Sequence, residues 1–167
     1  TLPSLSQSLL PRVTTRFLSS RPNVSVFVQS LPSRQVADLV ATRQFDIGLI
    51  ELPMARPSIS VEPLVPARSV AVIPANHRLA SKKQISVKDL AGERMVLLSQ
   101  HSFLRYQIDD AFSKLGVVPH VVLETPHSNI ACAFAAAGAG ITLVSHWAAE
   151  SFSGPNVVVR PVKEELT

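Results

Sequence analysis

The chain has 167 residues, of which 46% are hydrophobic and 17% are charged, a composition that excludes intrinsic disorder and fits one domain or two small ones. The net charge of +4 arises from Lys and Arg residues spread along the chain, without the basic stripe and interleaved aromatic side chains typical of nucleic-acid binding. The longest uncharged stretch, residues 125–149, contains proline, asparagine, glycine and histidine, which disfavours a membrane span.

The first part of the chain alternates between helical and strand patterns. Leu5, Leu9, Leu10, Val13 and Phe17 form a helical stripe, and Ser4 is placed to cap its start. A strand, a helix that begins in the loop holding Ser33, and two further apolar strands follow. The predicted strands are Val24–Gln29, Ile47–Ile50 and Val61–Val65.

The same order of elements recurs after a shift of 95 residues, which places Leu104 on Leu9, Val121 on Val26 and Ser128 on Ser33. Helices are predicted at Phe103–Leu115 and from Ser128, with strands at His120–Glu124 and Ile141–Val144. Outside this second copy, strands are predicted at Val70–Ile73, Met95–Ser99 and Val157–Val159, with short helices at Ser86–Leu90 and Trp147–Ser151.

This alternation predicts an α/β fold of two similar lobes, each with a parallel sheet covered by helices. Two strands that cross between the lobes would form a hinge, and a ligand cleft is expected between the lobes. We assign residues 1–66 plus 156–167 to the first lobe and residues 67–155 to the second.

Serines cluster where predicted strands lead into helices. Because helix N-termini offer free N–H groups and a partial positive charge, such a set suits an anion, most naturally a carboxylate. The alternative is that each serine merely caps its helix. The candidate ligand-binding residues of this kind are Ser4, Ser6, Ser33, Ser99, Ser102, Ser128 and Asn129.

Three further side chains are candidates for ligand binding. Glu51 ends a predicted strand and is either a solvated acid or a partner for an ammonium or guanidinium group. Arg105 lies one turn into a helix, where it either binds a carboxylate bidentately or forms a surface ion pair. His127 lies in a second-lobe loop, where exposure to solvent is the alternative to ligand contact.

Catalytic, metal and cofactor motifs are missing from the sequence. Cys132, the single cysteine, lies among alanines, which favours a buried structural side chain. No Gly-x-Ser-x-Gly motif occurs, and the histidines lack metal-ligand spacing. We therefore expect a protein that is not an enzyme and has neither metal nor cofactor.

Several short motifs carry a family resemblance, in family order over nearly the whole chain. They include Pro3–Pro11, Phe45–Gly48, Val72–Pro74 with His77–Leu79, Val87–Leu90 and Ala136–Ile141. With these motifs the chain resembles the effector-binding domain of LysR-type transcriptional regulators. Residues Ser6–Pro11 and Leu123–Thr125 with His127–Ser128 are similar to the branch of lysine and opine regulators.

The resemblance implies a type 2 periplasmic-binding-protein-like fold, with two Rossmann-like subdomains of which the first is incomplete at both ends. It implies a cytoplasmic homodimer or homotetramer that senses a small inducer, a carboxylate or an amino-acid derivative. Promoter DNA would be bound by an upstream winged helix-turn-helix that this chain does not contain, and no membrane partner is expected. A transporter solute-binding protein of the same fold and, less favoured, a small two-lobed enzyme remain alternatives.

Overall fold

A computed structural model of the chain describes residues 1–152 and 154–166. The chain divides into two compact units, Thr1–Pro66 and Ala67–Thr167. Ser153 and Thr167, which fall in the predicted ranges 67–155 and 156–167, lie outside the described residues. Within the described part of the chain, every helix is too short or too polar to cross a membrane.

The first unit contains three helices: α1 (Pro3–Gln7), α2 (Leu9–Ser19) and α3 (Ser33–Ala41). The sequence predicted one continuous helix in place of α1 and α2, and this is wrong. Pro11 has no N–H to donate to the carbonyl of Gln7, and its ring crowds that carbonyl, so the helix breaks at Ser8.

The predicted cap at Ser4 is also wrong. Leu2 is the N-cap residue of α1, without a side-chain hydrogen bond, and Pro3 occupies the first turn. Proline suits this position because its missing N–H would have no helical partner there. Ser4 therefore lies inside the helix, where its carbonyl accepts a hydrogen bond of 2.7 Å from Ser8 Oγ.

The segments 24–29 and 47–50 are extended but form no strand, contrary to prediction, in a unit whose residues are all described. They lie on either side of the first two residues. The Thr1 N-terminus donates to the Gln29 carbonyl at 2.9 Å, and Leu2 N–H donates to the Leu49 carbonyl at 3.0 Å. Thr1 and Leu2 are too few residues to form a β-ladder with the two segments. The two hydrogen bonds therefore join only the ends of these segments.

The predicted strand Val61–Val65 does not form either. Pro63 and Pro66 cannot donate to a ladder. Leu64 is 66% exposed, so no packing compensates for the missing hydrogen bonds.

The second unit holds the strands of the fold and most of its buried core. Its predicted elements are confirmed to within a few residues. They are β1 (Ser69–Pro74), β2 (Arg94–Leu98), α4 (Phe103–Lys114), β3 (His120–Thr125), α5 (Ser128–Ala136), β4 (Thr142–Ser145), α6 (His146–Glu150) and β5 (Val157–Pro161), with 3-10 helices at Arg78–Ser81 and Val87–Leu90.

The sheets of this unit are mixed in direction, whereas the sequence predicted parallel sheets. Strands β2 and β3 pair in parallel, but β1 lies between β4 and β5 and is antiparallel to both. A parallel bridge between Met95 and Ile141 connects the two sheets. Helix α5 packs on β1, β2 and β4 through its small buried side chains Ala131, Cys132 and Ala135.

Strand β5 pairs with β1 in the second unit. The sequence predicts that residues 156–167 belong to the first lobe, with Val157–Val159 returning there. The consecutive valines of β5 pair with the side of β1 that β4 does not occupy, and Val157 is buried there.

Gly140 generates a prediction about stability, because a Cβ at this position would lie 2.5 Å from the carbonyl oxygen of Arg94. That carbonyl accepts the Ile141 N–H at 2.8 Å, so the backbone is held close. We expect Gly140→Ala to lower the free energy of unfolding by about 1–3 kcal/mol in urea denaturation. Gly154→Ala is the control, because a Cβ there would have no described atom within 4 Å beyond its chain neighbours. Equal losses for the two variants would contradict the steric argument.

Candidate functional site

The first unit gathers several of the predicted site residues at one edge. Beyond the contacts of Thr1 and Leu2, the Leu31 N–H donates to the Thr1 carbonyl at 3.0 Å. Residues 24–29 and 47–50 thus end beside Thr1 and Leu2, and α1, α3 and Glu51 follow within a few residues. We call Ser4, Ser33 and Glu51 the first edge.

Ser33 and Glu51 are in direct contact, since Ser33 Oγ accepts a 2.9 Å hydrogen bond from the Glu51 backbone N–H. Ser33 therefore fixes the end of the neighbouring segment and does not cap α3, whose N-cap residue is Pro32. Ser6 is oriented differently: its hydroxyl donates to the Pro3 carbonyl at 2.7 Å and lies 3.4 Å from Ser30 Oγ.

The start of α3 is rich in free donors. The backbone N–H groups of Ser33, Arg34 and Gln35 have no acceptor among the residues that the structure describes. Free amides of this kind bind anions.

Glu51 adds an acid to this edge. Glu51 is an exposed residue, and the partial desolvation of its carboxyl by the surrounding protein raises the pKa of that group. A carboxylate in such surroundings gains stability from a nearby cation.

The second unit forms a comparable edge, because β2 and β3 run parallel and end side by side. Ser99 N–H donates to the Thr125 carbonyl at 3.0 Å, so the loops that follow the two strands are tied together. Helix α4 then begins after Ser102 and α5 after His127, and neither residue caps its helix with its side chain. We call Ser99, Ser102, His127, Ser128 and Asn129 the second edge.

Free amides are present at this edge too. The N–H groups of Phe103, Leu104 and Arg105 in α4 and of Ser128 and Asn129 in α5 lack acceptors within the described part of the chain. Asn129 turns its Oδ1 toward the Ile130 N–H at 3.0 Å, which leaves its amide N–H groups available. The arrangement is therefore suited to bind a carboxylate.

Arg105 is buried at 6% exposure, and its guanidinium is occupied by the protein. Nη1 donates to the Leu98 carbonyl and to Glu124, both at 2.8 Å, and Nε donates to Asp109 at 2.9 Å. The side chain thereby ties α4 to the last residues of β2 and β3. This geometry supports a positioning role, which corresponds to the ion-pair alternative that the sequence left open beside ligand contact, although the pair is buried.

The pKa of Arg105 is raised. Burial lowers it, but the hydrogen bonds to Glu124 and Asp109 outweigh that effect. The guanidinium thus keeps its charge, and the two carboxylates balance it.

Sequence reasoning missed Glu124 and Thr125 at the second edge. Thr125 is buried, and its Oγ1 accepts a 3.4 Å hydrogen bond from the His127 N–H. The 95-residue repeat contained the signal for Thr125, because it places this residue on Ser30 of the first edge's loop.

The remaining candidate side chains, in residues 1–152 and 154–166, are the single cysteine and the potential metal ligands. Burial raises the pKa of the Cys132 thiol to about 12, so the thiolate nucleophile is scarce near neutral pH. No group of three or more histidine, cysteine, aspartate or glutamate side chains in that part of the chain is placed to hold a metal ion.

The network around Arg105 predicts a stability effect. Arg105→Met keeps the buried volume but leaves Glu124 and the Leu98 carbonyl without their donor, so we expect the free energy of unfolding to fall by about 1–3 kcal/mol. Urea denaturation measures this loss. The exposed pair Lys114–Asp110, at 2.7 Å, is the control, and Lys114→Met should leave the free energy of unfolding nearly unchanged. A similar effect for both variants would refute the positioning role.

Known families and curated proteins include clear relatives of this chain. The family model of the LysR substrate binding domain matches residues 1–167. Regulatory protein NocR of Agrobacterium tumefaciens is 32% identical over 160 residues, which cover 96% of this chain and 53% of that protein. Transcriptional activator protein LysR of Escherichia coli is 30% identical over 95% of this chain and 51% of its own length.

A third relative is the octopine catabolism/uptake operon regulatory protein OccR of Rhizobium meliloti, 29% identical over 96% of this chain and 52% of that protein. The chain thus spans about half the length of these curated relatives.

Solved structures share the fold. The BenM effector binding domain with its effector benzoate superimposes with a TM-score of 0.81 at 23% identity, covering 98% of this chain and 75% of that one. The effector binding domain of QuiR in complex with shikimate gives a TM-score of 0.80 at 19% identity, covering 98% and 78%. Both are of the type 2 periplasmic-binding-protein-like fold that the sequence predicted. Because the family model matches residues 1–167 and two relatives are 30% or more identical, this chain belongs to the LysR substrate binding domain family.

Proposed function

We propose that this chain is the inducer-sensing domain of a bacterial transcription regulator and that it binds a small carboxylate or amino-acid-derived metabolite. The candidate contact residues are those of the first edge in one unit and those of the second edge in the other. Binding transmits a rearrangement of lobes or subunits to an upstream DNA-binding domain. The relatives support this reading because they are transcriptional regulators and not enzymes.

The observation that carries the proposal is the set of backbone N–H groups at the starts of α3, α4 and α5 that lack acceptors among the described residues. An unpaired amide is costly where water is excluded, and a carboxylate oxygen satisfies it. Benzoate and shikimate, the ligands of the two solved domains, both carry a carboxylate. Ser4, Ser33, Ser99, Ser102, Ser128, Asn129 and His127 are the proposed ligand-binding residues, with Ser6 supporting the first edge.

The partners of the full-length protein are part of the proposal. We infer a cytoplasmic homodimer or homotetramer that contacts promoter DNA through its upstream domain. Exposed apolar side chains support self-association, among them Phe27 at 77% and Val118 at 84% exposure.

The effector acts only through its different affinity for the two states of the regulator. A coupling free energy of about 1–3 kcal/mol between effector and DNA is the expected range. No cofactor or metal enters this mechanism.

A thermal-unfolding screen of the full-length regulator tests the proposal. An effector at 100 times its dissociation constant should stabilise the protein by about 2.7 kcal/mol and change its affinity for its promoter in a gel-shift assay. The panel contains amino acids, opines, diaminopimelate, benzoate and shikimate. Turnover of a bound compound, or stabilisation without any effect on DNA binding, would contradict an inducer-sensing function.

Ser33 provides a residue-level prediction. Ser33→Ala removes the acceptor for the Glu51 N–H and a hydroxyl of the first edge, so effector affinity should fall about three- to tenfold with little loss of fold. Calorimetric titration with the effector found in the screen measures the change. Ser113→Ala, an exposed serine of α4, should leave the affinity unchanged. If Ser33→Ala also leaves it unchanged, the first edge does not bind the effector.

A further inference from the structure

We propose that the second unit carries a surface that binds the phosphate backbone of DNA, in addition to the DNA contact of the upstream domain. The surface is formed by residues 82–89 and 160–164, which we call the basic ribbon. This inference goes beyond the proposed function and rests on one part of it, namely that the full-length protein binds DNA.

The two stretches of the basic ribbon lie side by side. Ile85 and Val162 form a parallel bridge, in which the Ile85 N–H donates to the Pro161 carbonyl at 3.0 Å and the Lys163 N–H donates to the Ile85 carbonyl at 2.9 Å. Ile85 is fully buried, so the bridge attaches the ribbon to the core of the unit. Because the two stretches are far apart in the sequence, their common surface is not visible in the sequence.

The basic ribbon carries most of the net charge of the chain. It has five basic and two acidic residues, a net charge of +3, whereas the whole chain has +4. Four of the five lysines of the chain lie on it. Its basic residues are Lys82, Lys83, Lys88, Arg160 and Lys163.

Both acids of the ribbon are occupied by the protein. The Asp89 carboxylate accepts the Ser86 N–H at 3.0 Å and pairs with Lys82 at 2.5 Å. Glu164 Oε2 accepts the Val87 N–H at 3.0 Å. Of the five cations, only Lys82 is therefore neutralised by an ion pair with a described residue.

The other cations remain available to a partner. The ammonium groups of Lys83, Lys88 and Lys163 are on exposed residues and form no hydrogen bond or ion pair within the described part of the chain. The Arg160 guanidinium donates only to carbonyls, those of Lys82 at 2.5 Å, Ala80 at 2.9 Å and Val159 at 3.1 Å. These bonds hold its charge in place without a carboxylate to balance it.

The composition of this surface favours a phosphate backbone over a protein partner. Among the described residues, the exposed large hydrophobic side chains do not include any from the ribbon. Protein interfaces have an apolar centre that is poor in lysine, whereas lysine and arginine are the usual contacts of DNA phosphates. Since the ribbon also lacks aromatic residues that could stack on bases, we expect it to bind DNA without regard to sequence.

The test measures binding of the full-length regulator to its promoter fragment by fluorescence anisotropy over a series of KCl concentrations. The triple variant Lys83→Gln, Lys88→Gln and Lys163→Gln removes three charges that have no described partner. We expect about tenfold weaker binding at low salt. The plot of log affinity against log salt should be less steep by about two to three, because each lost phosphate contact reduces the slope by about one.

A second readout is the ratio of the affinities for promoter DNA and for unrelated DNA of the same length. This ratio should stay close to the wild-type value, because phosphates carry no sequence information. A change confined to the promoter fragment would contradict a phosphate contact. The unfolding midpoint should match wild type, since the three lysines are exposed.

The matched control is the triple variant Arg16→Gln, Arg43→Gln and Lys114→Gln, which removes the same number of charges at exposed positions outside the ribbon. It should keep the wild-type salt dependence. Equal changes in the two triple variants would show an effect of net charge alone and would overturn the proposal.

Two further outcomes separate this inference from the proposed function. If the ribbon variant binds DNA like wild type but alters transcription by purified RNA polymerase, the ribbon meets an acidic protein surface. The DNA contact is then wrong, while the sensing function stands. If wild-type protein binds no promoter DNA with or without effector, both are overturned.

Discussion

In this structure, neighbouring chain segments that run in the same direction determine where the candidate residues lie. In the second unit, β2 and β3 run parallel, so both end at one edge and both lead into helices there. Backbone N–H groups at the starts of α4 and α5 consequently meet at this edge without acceptors among the described residues. Arg105 holds the arrangement together, because its buried guanidinium joins α4 to Leu98 and Glu124. The suitability of this edge for an anion thus comes from the backbone N–H groups that the parallel strands bring together, and the side chains contribute less.

Much of the second unit was predictable from the sequence, because its strands are buried apolar runs whose limits are visible without knowledge of their partners. Met95–Leu98 and Leu143–Val144 are examples, with nearly complete burial. The first unit was harder, since Val24–Gln29 has the composition of a strand but, among the described residues, its backbone is joined to a neighbouring segment only by the Thr1–Gln29 hydrogen bond. A composition pattern reports the tendency to be extended, whereas a strand also requires a neighbour to complete its ladder.

The candidate site was predictable in outline for a similar reason. Serines at helix starts are visible in the sequence, and the structure brings Ser33 and Glu51 into contact across 18 residues. The partners of Arg105 were not predictable, because Glu124 lies 19 residues away on a different element. Which acid a buried arginine meets is decided by the packing of α4 on the sheet, and the sequence pattern of α4 contains no information about it.

We propose that the effector of a transcription regulator binds at helix-start amides that lack acceptors among the described residues. Hydrogen–deuterium exchange of the full-length protein, with and without the effector found by thermal screening, tests it most directly. We predict slower exchange at the amides without acceptors in the described part of the chain, those of residues 33–35, 103–105 and 128–129. A bound carboxylate that accepts hydrogen bonds from them would cause this protection. Unchanged exchange at all three helix starts, in the presence of saturating effector, would contradict the account.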